Sequence, residues 1–169
     1  MIHIYCGDGK GKTTAALGLI CRHVGAGGSA VLAQFLKSLP TGELATLEQL
    51  GVPVYRNELP HGFFPNMNDE MQKKVREMHD HTLAEVTQLA RTNKCSLIVL
   101  DELCAALSLG LIDREAVLSL LDAHGDAELV ITGRDPDAEL LARADYITEM
   151  KLVKHPYEKG VLARKGIEF

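Results

Sequence analysis

Gly7-Asp8-Gly9-Lys10-Gly11-Lys12-Thr13-Thr14 decides the reading of this chain: three glycines, two lysines and two hydroxyls stand between an apolar run and an apolar-periodic segment. Upstream, Ile2-His3-Ile4-Tyr5-Cys6 is short and rich in β-branched and aromatic residues, as a strand requires. Downstream, Ala15, Leu19, Ile20 and Val24 recur at helical spacings. A strand, a glycine-rich loop and a helix in that order make a phosphate cradle. Glycines let backbone N–H groups approach an anion, and the following helix points its positive dipole end at the same place. Lys12 is placed to reach phosphate oxygens and the Thr13 hydroxyl to ligate Mg²⁺. Against the strict pattern G-x-x-x-x-G-K-[ST], the first glycine position holds Cys6 and the nearest glycine is Gly7. The loop is therefore one residue short of an ordinary phosphate loop.

Outward from that loop, the apolar run Ala30 to Phe35 predicts a second strand, Leu36 to Gly42 a loop, Glu43 to Leu50 a helix and Val52 to Tyr55 a short strand in which Pro53 marks an edge or a start. Asp69 to Arg91 predicts a long amphipathic helix whose His79 and His81, two apart, diverge and are expected at the surface. Ser96 to Asp101-Glu102 predicts a buried strand ending in two carboxylates, of which one would hold Mg²⁺ beside the cradle. A helix follows from Arg114 to Ala123, capped by Asp113, then a strand from Glu128 to Arg134, a short helix opened by Pro136 and a last strand from Ala144 to Met150. Arg134 emerges at the strand edge where ligands bind in open parallel sheets, as a phosphate clamp or as half of a surface ion pair. Between Leu59 and Asn68 a turn-prone stretch holds Phe63 and Phe64, which either cover the core or wall a ligand site. Alternating strands and helices predict one α/β domain over residues 1–169, a mostly parallel sheet with helices on both faces.

Composition narrows the function. With 169 residues, 46% hydrophobic and 24% charged, the chain suits a single core, and a net charge of −5 without a basic block argues against nucleic acid. No apolar run approaches the ~20 residues of a membrane span and no leader is evident, so a cytoplasmic protein is expected. Cys6, Cys21, Cys95 and Cys104 lack metal or redox spacing and are expected as buried thiols.

The tail, Lys154-His155-Pro156-Tyr157-Glu158-Lys159-Gly160-Val161 with Ala163-Arg164-Lys165-Gly166-Ile167-Glu168, completes a wider pattern. Together with the Gly7 to Thr14 loop, Gln34-Phe35, Thr41-Gly42-Glu43, Leu100-Asp101-Glu102 and Thr132-Gly133-Arg134, it resembles the P-loop ATP:corrinoid adenosyltransferases nearly end to end. The glycine missing at Cys6 fits that family, whose loop is understood to bind ATP's triphosphate in the reverse direction. The resemblance implies a P-loop NTPase-like (RecA-like) fold and transfer of the 5′-deoxyadenosyl group of ATP to Co(I) of a reduced corrinoid, with triphosphate leaving. It implies that Lys12 and the loop amides bind triphosphate, that Thr13 and Glu102 hold Mg²⁺ with Asp101 as a further candidate, and that Arg22 and Arg134 contact nucleotide. It also implies that Phe63, with Phe64, presses on the corrin face, although Pro65 stands where well-known members carry tryptophan. A homodimer and an electron donor for Co(II), such as a flavoprotein, are implied as partners. A small-molecule kinase on the same fold and a nucleotide-gated corrinoid carrier are the alternatives.

Overall fold

The computed structural model describes residues 1–57 and 66–169. Among them, six strands form one parallel sheet in the order β3-β2-β4-β5-β1-β6: β1 (Ile2–Cys6), β2 (Ala30–Gln34), β3 (Val54–Arg56), β4 (Leu97–Asp101), β5 (Glu128–Thr132) and β6 (Tyr146–Glu149). The expectation of a mostly parallel sheet is met by one that is wholly parallel. Among the described residues six α-helices connect the strands: α1 (Lys12–Gly25), α2 (Gly42–Gln49), α3 (Asp69–Arg91), α4 (Leu103–Ser108), α5 (Arg114–Asp122) and α6 (Ala138–Arg143).

Side-chain alternation along the strands divides the core into two layers. Ile4, Ala33, Phe35, Ile98, Leu100, Leu129 and Ile131 face α3, α4, α5 and α6, whereas Leu32, Leu97, Val99 and Val130 face Ala16 and Ile20 of α1 and Leu47 of α2. Phe35 is fully buried, and a side chain of its kind contributes about 1.5–3 kcal/mol on leaving water. Continuing the alternation, Gln34, Asp101 and Thr132 fall on the α1 face at the C-terminal ends of three neighbouring strands, all buried. A polar row thus closes an otherwise apolar layer where α1 begins.

One helix was not expected from the sequence, and two local expectations are corrected. Helix α4 starts directly after Glu102, which takes the left-handed conformation at φ 62, so strand and helix meet without the loop that sequence patterns use to announce a helix. His79 is buried, because Val75, His79, Leu83, Val86 and Ala90 share one stripe of α3; His81 is exposed as expected. Cys6, Cys95 and Cys104 are buried free thiols, but Cys21 is exposed on the outer face of α1. Pro53 precedes β3, which is an edge strand, and its carbonyl accepts from Leu32 N at 3.1 Å. At the other edge, β6 is exposed along its whole length. Among the described residues no helix is long and apolar enough to cross a membrane.

Candidate active site

The loop between β1 and α1 is built against the chain that leaves β6. Met150 N donates to Cys6 O at 2.8 Å and Gly9 N donates to Met150 O at 2.6 Å. A Cβ on Gly9 would lie 2.6 Å from Met150 O and 2.8 Å from Lys151 O, so this close passage excludes any larger residue. Gly7 adds a positive φ of 95° to the same contact. The Lys12 ammonium crosses the loop from within, donating to Gly7 O at 2.6 Å and Gly9 O at 2.9 Å, which leaves one of its three donors uncommitted.

Beneath the loop lies the fully buried Asp101. Its Oδ1 accepts from Thr13 Oγ1 at 2.8 Å and Thr132 Oγ1 at 2.7 Å; its Oδ2 accepts from Lys37 Nζ at 2.5 Å and Gln34 Nε2 at 3.4 Å. Four donors leave this carboxylate little capacity for a direct metal bond. Glu102 differs. Its backbone N–H donates to Thr132 Oγ1 at 2.9 Å, while its carboxylate has no hydrogen bond among the described residues and lines the cleft above the loop. Burial, then repulsion from Asp101, raises the Glu102 carboxyl above the ordinary glutamate range, with Lys37, Lys12 and Arg134 pulling it back.

That cleft, of about 250 Å³, gathers Asp8, Gly9, Lys10, Gly11, Lys12, Thr13, Thr14, Glu102 and Arg134. Arg134 is 64% exposed and stands 3.6 Å from Asp8 at the mouth. Arg22 is not brought to this cluster: it is exposed in the last turn of α1, about 15 Å along the helix from Lys12. Phe63 and Phe64 lie outside the described residues. A second cleft, of about 380 Å³ between β3 and α3, is lined by no residue of the Gly7 to Thr14 loop.

Sequence reasoning missed three contributions. Lys37, within the loop expected from Leu36 to Gly42, is the ion-pair partner of Asp101. Thr132 and Gln34 were quoted without a role; a polar residue ending an apolar strand is the signal that could have found them. The tail supplies His155, Ile167 and Glu168 to the cleft wall, and Phe169 O comes within 4.0 Å of a Cβ built on Gly42. The tail therefore runs from the loop towards the start of α2, across the C-terminal edge of the sheet.

An anion cradle, a hydroxyl whose proton is committed to a buried carboxylate and a second carboxylate open to the cleft make a site for a nucleotide and a hard cation. The comparisons give this site its family. Residues 1–169 match the family model described as ATP:corrinoid adenosyltransferase BtuR/CobO/CobP. A corrinoid adenosyltransferase of Sinorhizobium sp is 34% identical over 175 residues, covering all of this chain and 80% of that protein. One from Pseudomonas aeruginosa is 33% identical over 168 residues, covering 98% and 82%. The corrinoid adenosyltransferase CobA of Salmonella typhimurium is 33% identical over 175 residues, covering all of this chain and 85% of that protein. With the whole chain matched and its loop, Glu102 and tail converging on one cleft, the chain belongs to the ATP:corrinoid adenosyltransferase family.

Proposed function

We propose that this protein transfers the 5′-deoxyadenosyl group of ATP to the cobalt of a reduced corrinoid. Co(I) attacks C5′ of ATP, the C5′–O bond breaks, and triphosphate leaves with the electron pair. Cobalt is itself the nucleophile, so the protein needs no general base. Its work is to align the two substrates and to stabilise the charge that grows on the departing triphosphate. The single observation that carries the reading is the cleft in which Lys12, Thr13 and Glu102 converge over an anion-binding loop tied to the chain's own tail.

In this reading Lys12 and the loop amides hold triphosphate, with Arg134 turning in from the mouth. Thr13 and Glu102 hold Mg²⁺, and Asp101 orients Thr13. The donor set fits the ion. Thr13 gives its proton to Asp101 and presents oxygen to the cleft, Glu102 adds a carboxylate, and both are hard oxygen ligands. When bound, Mg²⁺ would neutralise charge on the phosphate oxygens. Arg22 would contact nucleotide only if ATP extends along α1. Phe63 and Phe64 would press on the corrin face and keep a lower ligand off cobalt.

The same reading carries a cytosolic location, where ATP is available, and a reduced electron donor of the flavoprotein class. It also carries a homodimer, for which the uncovered β6 edge, with Tyr146 and Ile147 about half exposed, offers a self-complementary surface.

Anaerobic incubation of the protein with MgATP and a chemically reduced corrinoid tests the proposal. Triphosphate and an adenosylated corrinoid are expected in equal amounts. ADP would point instead to a kinase, and bound corrinoid without turnover to a carrier.

A further inference from the structure

Lys37 reaches the carboxylate beneath the phosphate loop from outside that loop's own sequence. Its Nζ lies 2.5 Å from Asp101 Oδ2 and 3.3 Å from Thr13 Oγ1, with the lysine side chain 26% exposed and Asp101 not exposed at all. The backbone that delivers it is held from two directions. Leu36, at φ 58, donates its N–H to His79 Nε2 at 3.1 Å, and the His79 Nδ1 pairs with Leu111 O at 2.9 Å. Arg56 Nη2 donates to Lys37 O at 3.2 Å and to Leu39 O at 2.7 Å. A left-handed leucine persists only where its surroundings impose it. The backbone is thus fixed while the lysine keeps a flexible four-carbon stem ending at partly open surface.

Thr13 Oγ1 has one proton and two lone pairs. Asp101 takes the proton and Lys37 approaches one lone pair, so a divalent ion on the other would share this oxygen with the ammonium and be repelled by its charge. We infer that the Lys37 ammonium is a tethered cation that stands against Thr13 Oγ1 and moves to the triphosphate when a divalent metal arrives with ATP. The inference rests on Thr13 and Glu102 being the metal's protein ligands. Metal alone must bind against the charge of the ammonium or draw it away from Asp101, its counter-ion. Metal with ATP brings the triphosphate, whose charge receives the ammonium. Metal and nucleotide therefore bind synergistically, each raising the other's affinity by the same factor.

The test titrates the full chain with Mn²⁺, with and without ATP, following free Mn²⁺ by electron paramagnetic resonance. In Lys37→Met, affinity for Mn²⁺ alone should rise about tenfold while the gain from ATP shrinks by a similar factor; Lys37→Arg should resemble the parent. Because Lys37→Met leaves the buried Asp101 charge without a cation and could fail to fold, Lys37→Gln, which keeps a donor without the charge, is the second variant and should show the same rise. Unchanged affinity for Mn²⁺ alone in the folded neutral variant would overturn the exchange. A parent protein that takes up no Mn²⁺ beyond what ATP carries, and is indifferent to Glu102→Gln, would overturn the metal assignment on which the exchange rests.

Discussion

Thr13 and Asp101 meet through a 2.8 Å hydrogen bond across 88 residues of chain, although the strand that leads to Thr13 and the strand that ends in Asp101 are separated in the sheet by β5. Helix α1 makes the meeting possible. It packs back over β1, β5, β4 and β2, so its first turn lies above Asp101 and Thr132, which end neighbouring strands on the same face. The hydroxyl of Thr13 is thereby oriented before any ligand enters, a positional advantage that a solvent-exposed threonine lacks.

Asp101 and Glu102 should separate in their effects despite adjacency. Asp101→Asn replaces an acceptor of four donors with a group that must itself donate towards Lys37 or Thr13, so it should lower Tm and cost about 1–3 kcal/mol of stability. Glu102→Gln should leave the fold intact and raise the Mg²⁺ concentration needed for half-maximal transfer. Thermal melts beside metal titrations decide the matter: a larger metal shift for Asp101→Asn in folded protein would exchange the two roles.

Lys12→Ala should cost about 10²–10³-fold in transfer, since a charge on the leaving triphosphate acts most strongly as the C5′–O bond breaks. Its two bonds to loop carbonyls suggest a stability loss of only about 1 kcal/mol, read as a small change in the denaturation midpoint. Near-parent rates at saturating MgATP would remove Lys12 from the triphosphate.

The raised Glu102 carboxyl predicts a pH dependence of definite sign. An acid whose folded-state pKa exceeds its unfolded value holds its proton more tightly when folded. Its contribution to stability therefore declines as pH rises from the ordinary glutamate range to the raised value, and the loss persists above it. Glu102→Gln removes that loss, so melts across this range should match the parent at the acid end and exceed it at neutral pH. Metal affinity should fall on acidification at a higher pH than expected for an exposed glutamate. A variant whose Tm tracks the parent at every pH would show that burial does not govern Glu102.

Gly9→Ala should act through the tail. Its methyl group would meet Met150 O and Lys151 O, and pushing that segment away breaks the Gly9 N–Met150 O bond at a cost of about 1–3 kcal/mol. ATP binding, measured by calorimetry, should weaken with stability, because His155, Ile167 and Glu168 ride on the displaced chain. Full stability with unchanged ATP affinity would show that the contact is incidental.

Removing residues 161–169 probes the tail from its other end. These residues are exposed in the structure, so the truncated chain should fold with nearly the parent Tm, yet it loses Ile167 and Glu168 from the cleft wall and should bind ATP more weakly. Unaltered ATP affinity would restrict the nucleotide site to the loop.

The residue pattern by itself determined the parts that depend on local periodicity and local chemistry. Strands β1, β2, β4 and β5, the span Asp69–Arg91 of α3, and the loop from Gly7 to Thr14 follow from apolar runs, a helical stripe and glycine spacing, each contained in a short window of chain. The carboxylate pair was legible for the same reason, although which acid faces the cleft was not. Adjacent residues on a strand point to opposite faces, but Glu102 leaves the strand through a left-handed turn, and only the buried row of Gln34, Asp101 and Thr132 shows that Asp101 is already satisfied. Tertiary structure alone decided the remaining placements: Lys37 against Asp101, His79 beneath Leu36, the tail across the loop, and Arg22 away from it. Such contacts join positions far apart in sequence, where helix packing and chain crossing set the distance, and no short window of residues carries a trace of them.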